Sequence, residues 1–402
     1  MTAPRALCDA ASDTAHRVAE LLSSPERVAG AARSAFAALP SEVPPPAWQP
    51  ASLLLGHPGI ALLHTRCARN DARYAATGHA HLAAAVAATS DAGPAAVGDL
   101  LLPARLHARA HGGYTRLLAR SAEVHAAHVG ARVARLVTRR QEHGPGLAYG
   151  DYDAISGLAG QARGLLAAAD DGDERSARVL HDVLGFLVGM THPVRPAEGD
   201  GSQVPGWWCA PDRYLLPRDR TEFPGGDLNV GVAHGICGPL ALMSLAYRAG
   251  HRVPGIRDAL CRMADWVVGV GRADDRGSQW PGLAHRPRDA VTAVDPGFCH
   301  GRAGILHIVG RMAAAGGSTE LWAAADALAR ELVADFDART PFGYRQVLPP
   351  SGTSRPAPHR VHHQGLLDGA AGIALALADY ADARRGAAIE DTAGWDAAFL
   401  MS

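Results

Sequence analysis

Five times along the chain a glycine turn of the form GxxG opens a run of apolar residues. Gly56 to Gly59 precedes IALLHTRCAR, Gly157 to Gly160 precedes QARGLLAAA, and Gly235 to Gly238 precedes PLALMSLAYRAG. Gly301 to Gly304 precedes ILHIVGRMAAAG, and Gly369 to Gly372 precedes IALALADYADAR. A weaker copy, Ala110 to Gly113, precedes YTRLLARSA. The runs are long and rich in Ala and Leu, which predicts buried helices rather than strands. Amphipathic segments follow, such as 255–270 and 319–336. In the second, Leu321, Ala324, Leu328 and Leu332 predict the buried side, with Glu320, Asp326 and Glu331 in water.

The repeating unit is therefore a helical hairpin with one mainly apolar and one amphipathic helix. Repeated hairpins build either an open solenoid or a closed α/α toroid. The last glycines stand at 59, 113, 160, 238, 304 and 372, long and uneven spacings that favour the toroid with loop insertions. The Pro/Gly-rich stretches 192–230 and 338–364 read as such insertions, because the pattern continues on both sides. The expected architecture is all-α, a single domain over residues 1–402 with about six hairpins.

The apolar share of 48% is ample for a core, and 39 basic against 40 acidic residues leave a net charge of −1. Neither nucleic acid nor an anionic membrane is expected as a partner at that balance. Every basic residue is Arg, which excludes Schiff-base catalysis and a lysine-dependent phosphate loop. The Ala/Arg bias without Lys suggests a GC-rich bacterial source. The six cysteines form no CxxC pair, so neither a disulfide framework nor a ribbon-type zinc site is expected. The first twenty residues lack an apolar core and carry Asp9 and Asp13, so no secretory signal is expected there. No long uncharged apolar stretch predicts a membrane span, and a cytoplasmic location follows as the expectation.

Candidate chemistry lies just before the glycine turns. His234 precedes Gly235, and Cys299 with His300 precedes Gly301. Thiolate and imidazole are usual zinc ligands, so Cys299 and His300 can supply two of them. The plainer reading is a small buried Cys beside a hydrogen-bonded His. His362 and His363 read as solvated loop residues.

The segments YDAISGLAG (152–160), DLNVGVAHGICGPLAL (227–242), DPGFCHGRAGIL (295–306) and GLLDGAAGIALAL (365–377) resemble the signature repeats of the lanthionine synthetase C-like cyclases. PGWWCAP (205–211), FDARTPFGYR (336–345) and GWDAAFLMS (394–402) resemble that family as well. The resemblance implies an α/α toroid, normally with seven inner helices. It implies the addition of peptide Cys thiols to dehydroalanine or dehydrobutyrine, and a dehydrated precursor peptide as substrate. A dehydratase or another tailoring enzyme is the implied partner.

The resemblance also implies zinc held by two cysteines and a histidine, with Cys299 and His300 as matching ligands. His234 is the implied acid or base, with Asp153 near it; the plainer reading of Asp153 is a helix N-cap. The family's Trp-Cys-Tyr-Gly motif is absent. The chain runs from the AHG repeat through 277–294 directly into DPGFCHG, so one repeat is expected to be missing. Cys237, Cys209 and His285 are the candidates for the lost ligand. Equivalent positions in two repeats predict that His234, Cys299 and His300 face one mouth of the ring.

Three other readings stay open. A toroid glycosidase needs two carboxylates on one cleft, from Asp153, Asp227 and Asp368. A zinc prenyltransferase-like toroid needs Asp, Cys and His in separate repeats. A degenerate cyclase binds precursor peptide or a partner enzyme without catalysis.

Overall fold

The computed structural model describes residues 5–37, 48–196, 201–214, 220–221, 223–231, 233–270, 272–274, 277–279, 295–299, 301–316, 319–348, 359–387 and 394–402. Its helices in chain order are α1 (Arg5–Leu21), α2 (Pro25–Ala37), α3 (His57–Cys67), α4 (Arg73–Ala92), α5 (Pro94–Gly98), α6 (Leu101–His111) and α7 (Thr115–His143). They continue as α8 (Tyr149–Tyr152), α9 (Leu158–Asp170), α10 (Glu174–Gly189), α11 (Cys237–Arg248) and α12 (Ile256–Val270). The last three are α13 (Arg302–Gly316), α14 (Thr319–Asp335) and α15 (Ala370–Arg384). Two antiparallel ribbons interrupt them, β1 (Arg272–Asp274) with β2 (Gly277–Gln279), and β3 (Gln346–Leu348) with β4 (His359–Val361).

The chain divides into two compact units, residues 1–118 with 291–395, and residues 119–290 with 396–402. In the first unit α13, α15, α3 and α6 pack in that order, each against the next. Every residue of α3 is buried, as are the first eight of α15, so these helices have no wet face. The amphipathic helices α4 and α14 flank α3 and α13. The flanking partner of α15 comes from the other end of the chain: α1 lays Leu7, Ala11, Ala15 and Val18 against it. In the second unit α9 packs beside α11, with α10 and α12 as their partners. Its core takes Ala126, Val129 and Val133 of α7 together with Leu165, Leu184, Met243 and Leu400.

All five clean GxxG turns open helices as predicted, but Ala110 to Gly113 does not. Gly112 and Gly113 have φ of 77° and 83°, and Tyr114 follows at 64°. These left-handed residues end α6 instead of starting a buried helix. The long helix beyond them, α7, is amphipathic, and the buried position beside α3 is filled by α6.

The burial of α14 also differs from the periodic reading. Ala325, Ala329 and Leu332 are its buried residues, while Ala324 is exposed. Asp326 is not in water; it accepts from Tyr380 Oη at 2.7 Å and from Arg384 Nε at 3.1 Å. Alanines let helices approach closely, and the arginine makes room for a carboxylate inside the packing.

Residues 271–294, between α12 and the turn at Asp295, are too few for two helices of about 11–12 residues and a turn. Near this gap, α13 shows an apolar stripe to solvent: Ile305, Ile308 and Met312 are 52%, 44% and 53% exposed. Leu306 on the opposite side is fully buried. Ile308→Gln is therefore expected to shift urea-unfolding stability by no more than about 0.5 kcal/mol, whereas Leu306→Ala costs about 2–5 kcal/mol. Equal costs would show that the stripe is packed.

Candidate active site

The glycine turns are built by close backbone approach. A Cβ on Gly160 would stand 2.1 Å from the carbonyl oxygen of Ala154, and one on Gly372 would stand 2.0 Å from that of Leu366. Gly59 and Gly304 meet the same obstacle in Leu53 and Phe298, again six residues upstream. Only glycine lets the chain fold back so tightly before the helix begins.

The returning strands then hydrogen-bond from one repeat to the next. Within the second unit, Ala154 N–H donates to Ala233 O at 3.1 Å. Within the first, Phe298 and Cys299 N–H donate to Leu367 O at 3.1 and 2.9 Å, and Leu366 and Leu367 N–H donate to Leu54 O at 2.8 and 3.1 Å. This stitching sets side chains of adjacent repeats next to each other: Asp153 beside His234, and Cys299 beside Asp368.

Asp153 is held on both oxygens. Oδ1 accepts from the backbone N–H groups of Ile155, Ser156 and Gly157 at 3.1, 2.7 and 2.6 Å. Oδ2 lies 2.7 Å from Nδ1 of His234. A carboxylate only accepts, so Nδ1–H donates, and the ring's other nitrogen, Nε2, is the one left for proton transfer. The Asp153 side chain is 1% exposed while the His234 ring is 47% exposed, a buried anchor under an accessible imidazole. Asp153 thus holds together the turn ahead of α9, whose N-cap is Gly157, and lies against His234 as its hydrogen-bond partner.

Arg132 of α7 braces this turn, donating to Ser156 O at 2.7 Å and to Gly150 O at 2.5 Å. Sequence reasoning missed it, because a lone Arg on a charged helix carries no signal. In the first unit, Asp295 and Asp368 flank Cys299. Burial, reinforced by these two carboxylates, pushes the Cys299 thiol up to about 12. Burial and Asp295 likewise raise the Asp368 carboxyl to about 6, against a hydrogen bond with Gln346. Asp368 holds the position before Gly369 that His234 holds before Gly235, a signal visible once the turns are aligned.

The remaining candidates are placed as follows. His300 and His285 lie outside the described residues. Cys209 is fully buried in a cluster with Tyr214 and Phe223, and desolvation pushes its thiol up to about 12. Cys237 opens α11 half-buried, its thiol raised by burial. Asp227 is fully buried and exchanges backbone hydrogen bonds with Cys209, so it faces no cleft. His363 is buried rather than solvated, and accepts from Gly365 N–H at 3.0 Å inside its turn. Among the described residues no three His, Cys, Asp or Glu side chains converge as a metal ion requires.

Buried helices opened by glycine turns, with an oriented imidazole at one of them, define an α-helical repeat protein. The family model described as "Lanthionine synthetase C-like protein" matches residues 47–293 and 283–392, and the chain belongs to that family. The two matched stretches meet where one repeat was expected to be missing. Among solved structures the chain matches one titled "Nisin cyclase" with a TM-score of 0.65 and 15% identity, over 88% of this chain and 93% of that one. The likeness establishes the fold as an α/α toroid. No curated protein matches the chain in sequence. Among the described residues no helix is long and apolar enough to cross a membrane.

Proposed function

We propose that this chain is a lanthipeptide cyclase, adding the Cys thiol of a dehydrated precursor peptide to dehydroalanine or dehydrobutyrine. The observation that carries the reading is the 2.7 Å bond that fixes the His234 ring on buried Asp153. The reaction needs a base for the thiol and an acid for the enolate carbon, and one imidazole near neutrality serves both. Nε2 of His234 takes the thiol proton and sulfur bonds to the β-carbon of the dehydro residue. The C=C electron pair moves into the enolate, and the imidazolium returns the proton to the α-carbon. The dehydro residue must come from an enzyme that eliminates water from Ser or Thr, the chemistry of the proposed dehydratase partner. A cytoplasmic site of action is part of the same proposal.

Zinc, the cofactor implied by the resemblance, does not find a complete donor set among the described residues: Cys299 is the one member of its expected pair within them. No step above is routed through a metal. We expect zinc held by Cys299 and His300 to bind weakly, below one ion per chain after purification in zinc without chelator, and to be lost in Cys299→Ala. Stoichiometric zinc in both proteins would remove Cys299 from the ligand set.

The short 271–294 segment and the absent Trp-Cys-Tyr-Gly motif favour one second reading, a non-catalytic scaffold for the precursor peptide or a modification enzyme. The deciding assay is mass spectrometry with thiol alkylation on a peptide carrying one Cys and one dehydroalanine. Enzyme-dependent loss of the alkylatable thiol supports the cyclase; peptide binding without that loss supports the scaffold.

A further inference from the structure

The first unit carries a cavity that the proposed reaction leaves unused. Its volume is about 300 Å³, and its walls include Pro296, Arg302, Asp335, Asp337, Arg345 and Arg360. Pro296 ties it to the turn that carries Cys299. Such a volume admits one side chain or a small polar group.

Its charges do not balance internally. Asp335 is spent on Arg302, which also donates to Glu331 at 3.0 Å. Asp337 is spent on Arg339, at 2.9 and 3.2 Å, and those side-chain hydrogen bonds hold its carboxyl down to about 2. Arg345, just before β3, and Arg360, within β4, are exposed and form no close ion pair among the described residues, although the charge of Arg345 helps to hold the Asp337 carboxyl down. The buried Nε of Arg302 has no hydrogen-bond partner. Two guanidinium forks without a bonded carboxylate and one orphaned donor therefore meet at one cavity.

We propose that this cavity is a carboxylate subsite for the peptide substrate, in which Arg345 and Arg360 grip an acidic group of the peptide. Planar guanidinium forks match a carboxylate with paired hydrogen bonds. That the ligand is the substrate rests on the cyclase reading above; the carboxylate preference does not.

The test is an equilibrium titration of the full chain with three probes that lack any dehydro residue and cannot react. They are acetyl-Cys-Glu amide, acetyl-Cys-Gln amide, and acetyl-Cys-Gln with a free C-terminal carboxylate. The Glu amide is expected to bind about tenfold more tightly than the Gln amide. The third probe tells whether a terminal carboxylate serves as well as a side chain; a gain for either supports the subsite. The preference should vanish in the Arg345→Gln/Arg360→Gln double variant and survive in His234→Asn. Equal binding of all three probes by the parent overturns the proposal, as does a preference that persists in the double variant. Inorganic phosphate binding without any carboxylate preference overturns it too. A carboxylate preference in a chain that forms no thioether keeps the subsite and sinks the cyclase reading; thioether formation without the preference does the reverse.

Discussion

Replacing His234 by Asn is expected to slow thioether formation by about 10²–10⁴-fold, the usual worth of a positioned acid–base group. The ring is 47% exposed and belongs to no core cluster, so the melting temperature should stay close to that of the parent. Asp153→Ala is expected to lower the rate as well, because the imidazole then loses the partner that fixes its tautomer and orientation. It also strips the acceptor from three backbone N–H groups of the turn ahead of α9, a loss of about 1–3 kcal/mol. The two variants thus separate on stability: His234→Asn loses rate alone, Asp153→Ala loses rate and stability together. A His234→Asn protein that cyclises a Cys/dehydroalanine peptide at the parent rate would remove the imidazole from the mechanism.

Acidification from pH 7 to pH 5 is expected to lower stability, through imidazoles far from His234. His57, His64, His81 and His363 are buried. Desolvation holds His57, His64 and His363 down to about 4, and His81 to about 3, with neighbouring imidazoles adding to the shift of His81. In the unfolded chain each titrates near 6.5. Between these values the unfolded state binds more protons, so stability is complete above about pH 6.5 and falls as pH drops toward 4.

One such histidine is worth about 1.4 kcal/mol per pH unit in that window. Two half-buried carboxyls act in the opposite sense. Asp99 and Asp368 are raised to about 6, chiefly by desolvation, so the folded state binds their protons first and gains stability as pH falls below 6. They offset only part of the histidine effect, to which buried His107, also held down to about 4 by desolvation, adds. The net loss is on the order of a few kcal/mol per unit, a large part of a typical stability of about 5–15 kcal/mol. The urea midpoint should therefore fall steeply between pH 6.5 and 5. A midpoint that stays flat over that range would show that the imidazoles are not held neutral in the fold.

The fold was legible in the sequence where its causes are local. Where an added Cβ would stand about 2 Å from a carbonyl oxygen only glycine fits, so Gly160 and Gly372 mark their turns in the chain itself. A helix buried on all sides is signalled by a long apolar run, and Ala370–Leu377 of α15 shows one; α3 buries His57, His64, Thr65 and Arg66 as well. His234 was legible as a candidate from its place before Gly235, and Asp153 from the resemblance of YDAISGLAG to the family repeat. Other features depend on which segments meet, and no local pattern records that. Gly112 and Gly113 look like another opening turn, yet a left-handed φ makes them the end of α6. The flanking helix of α15 is α1, from the far end of the chain. Asp326 looks solvated until Arg384 and Tyr380 are brought to it, and His363 looks solvated until its turn closes around it. The clearest division runs through the site. The glycine turn nominated His234, and the resemblance alone set Asp153 near it across 81 positions. Only the hydrogen bond between their two turns, Ala154 N–H to Ala233 O, brings carboxylate and imidazole to 2.7 Å, because strand-to-strand bonding of successive repeats is set by packing and not by either segment alone.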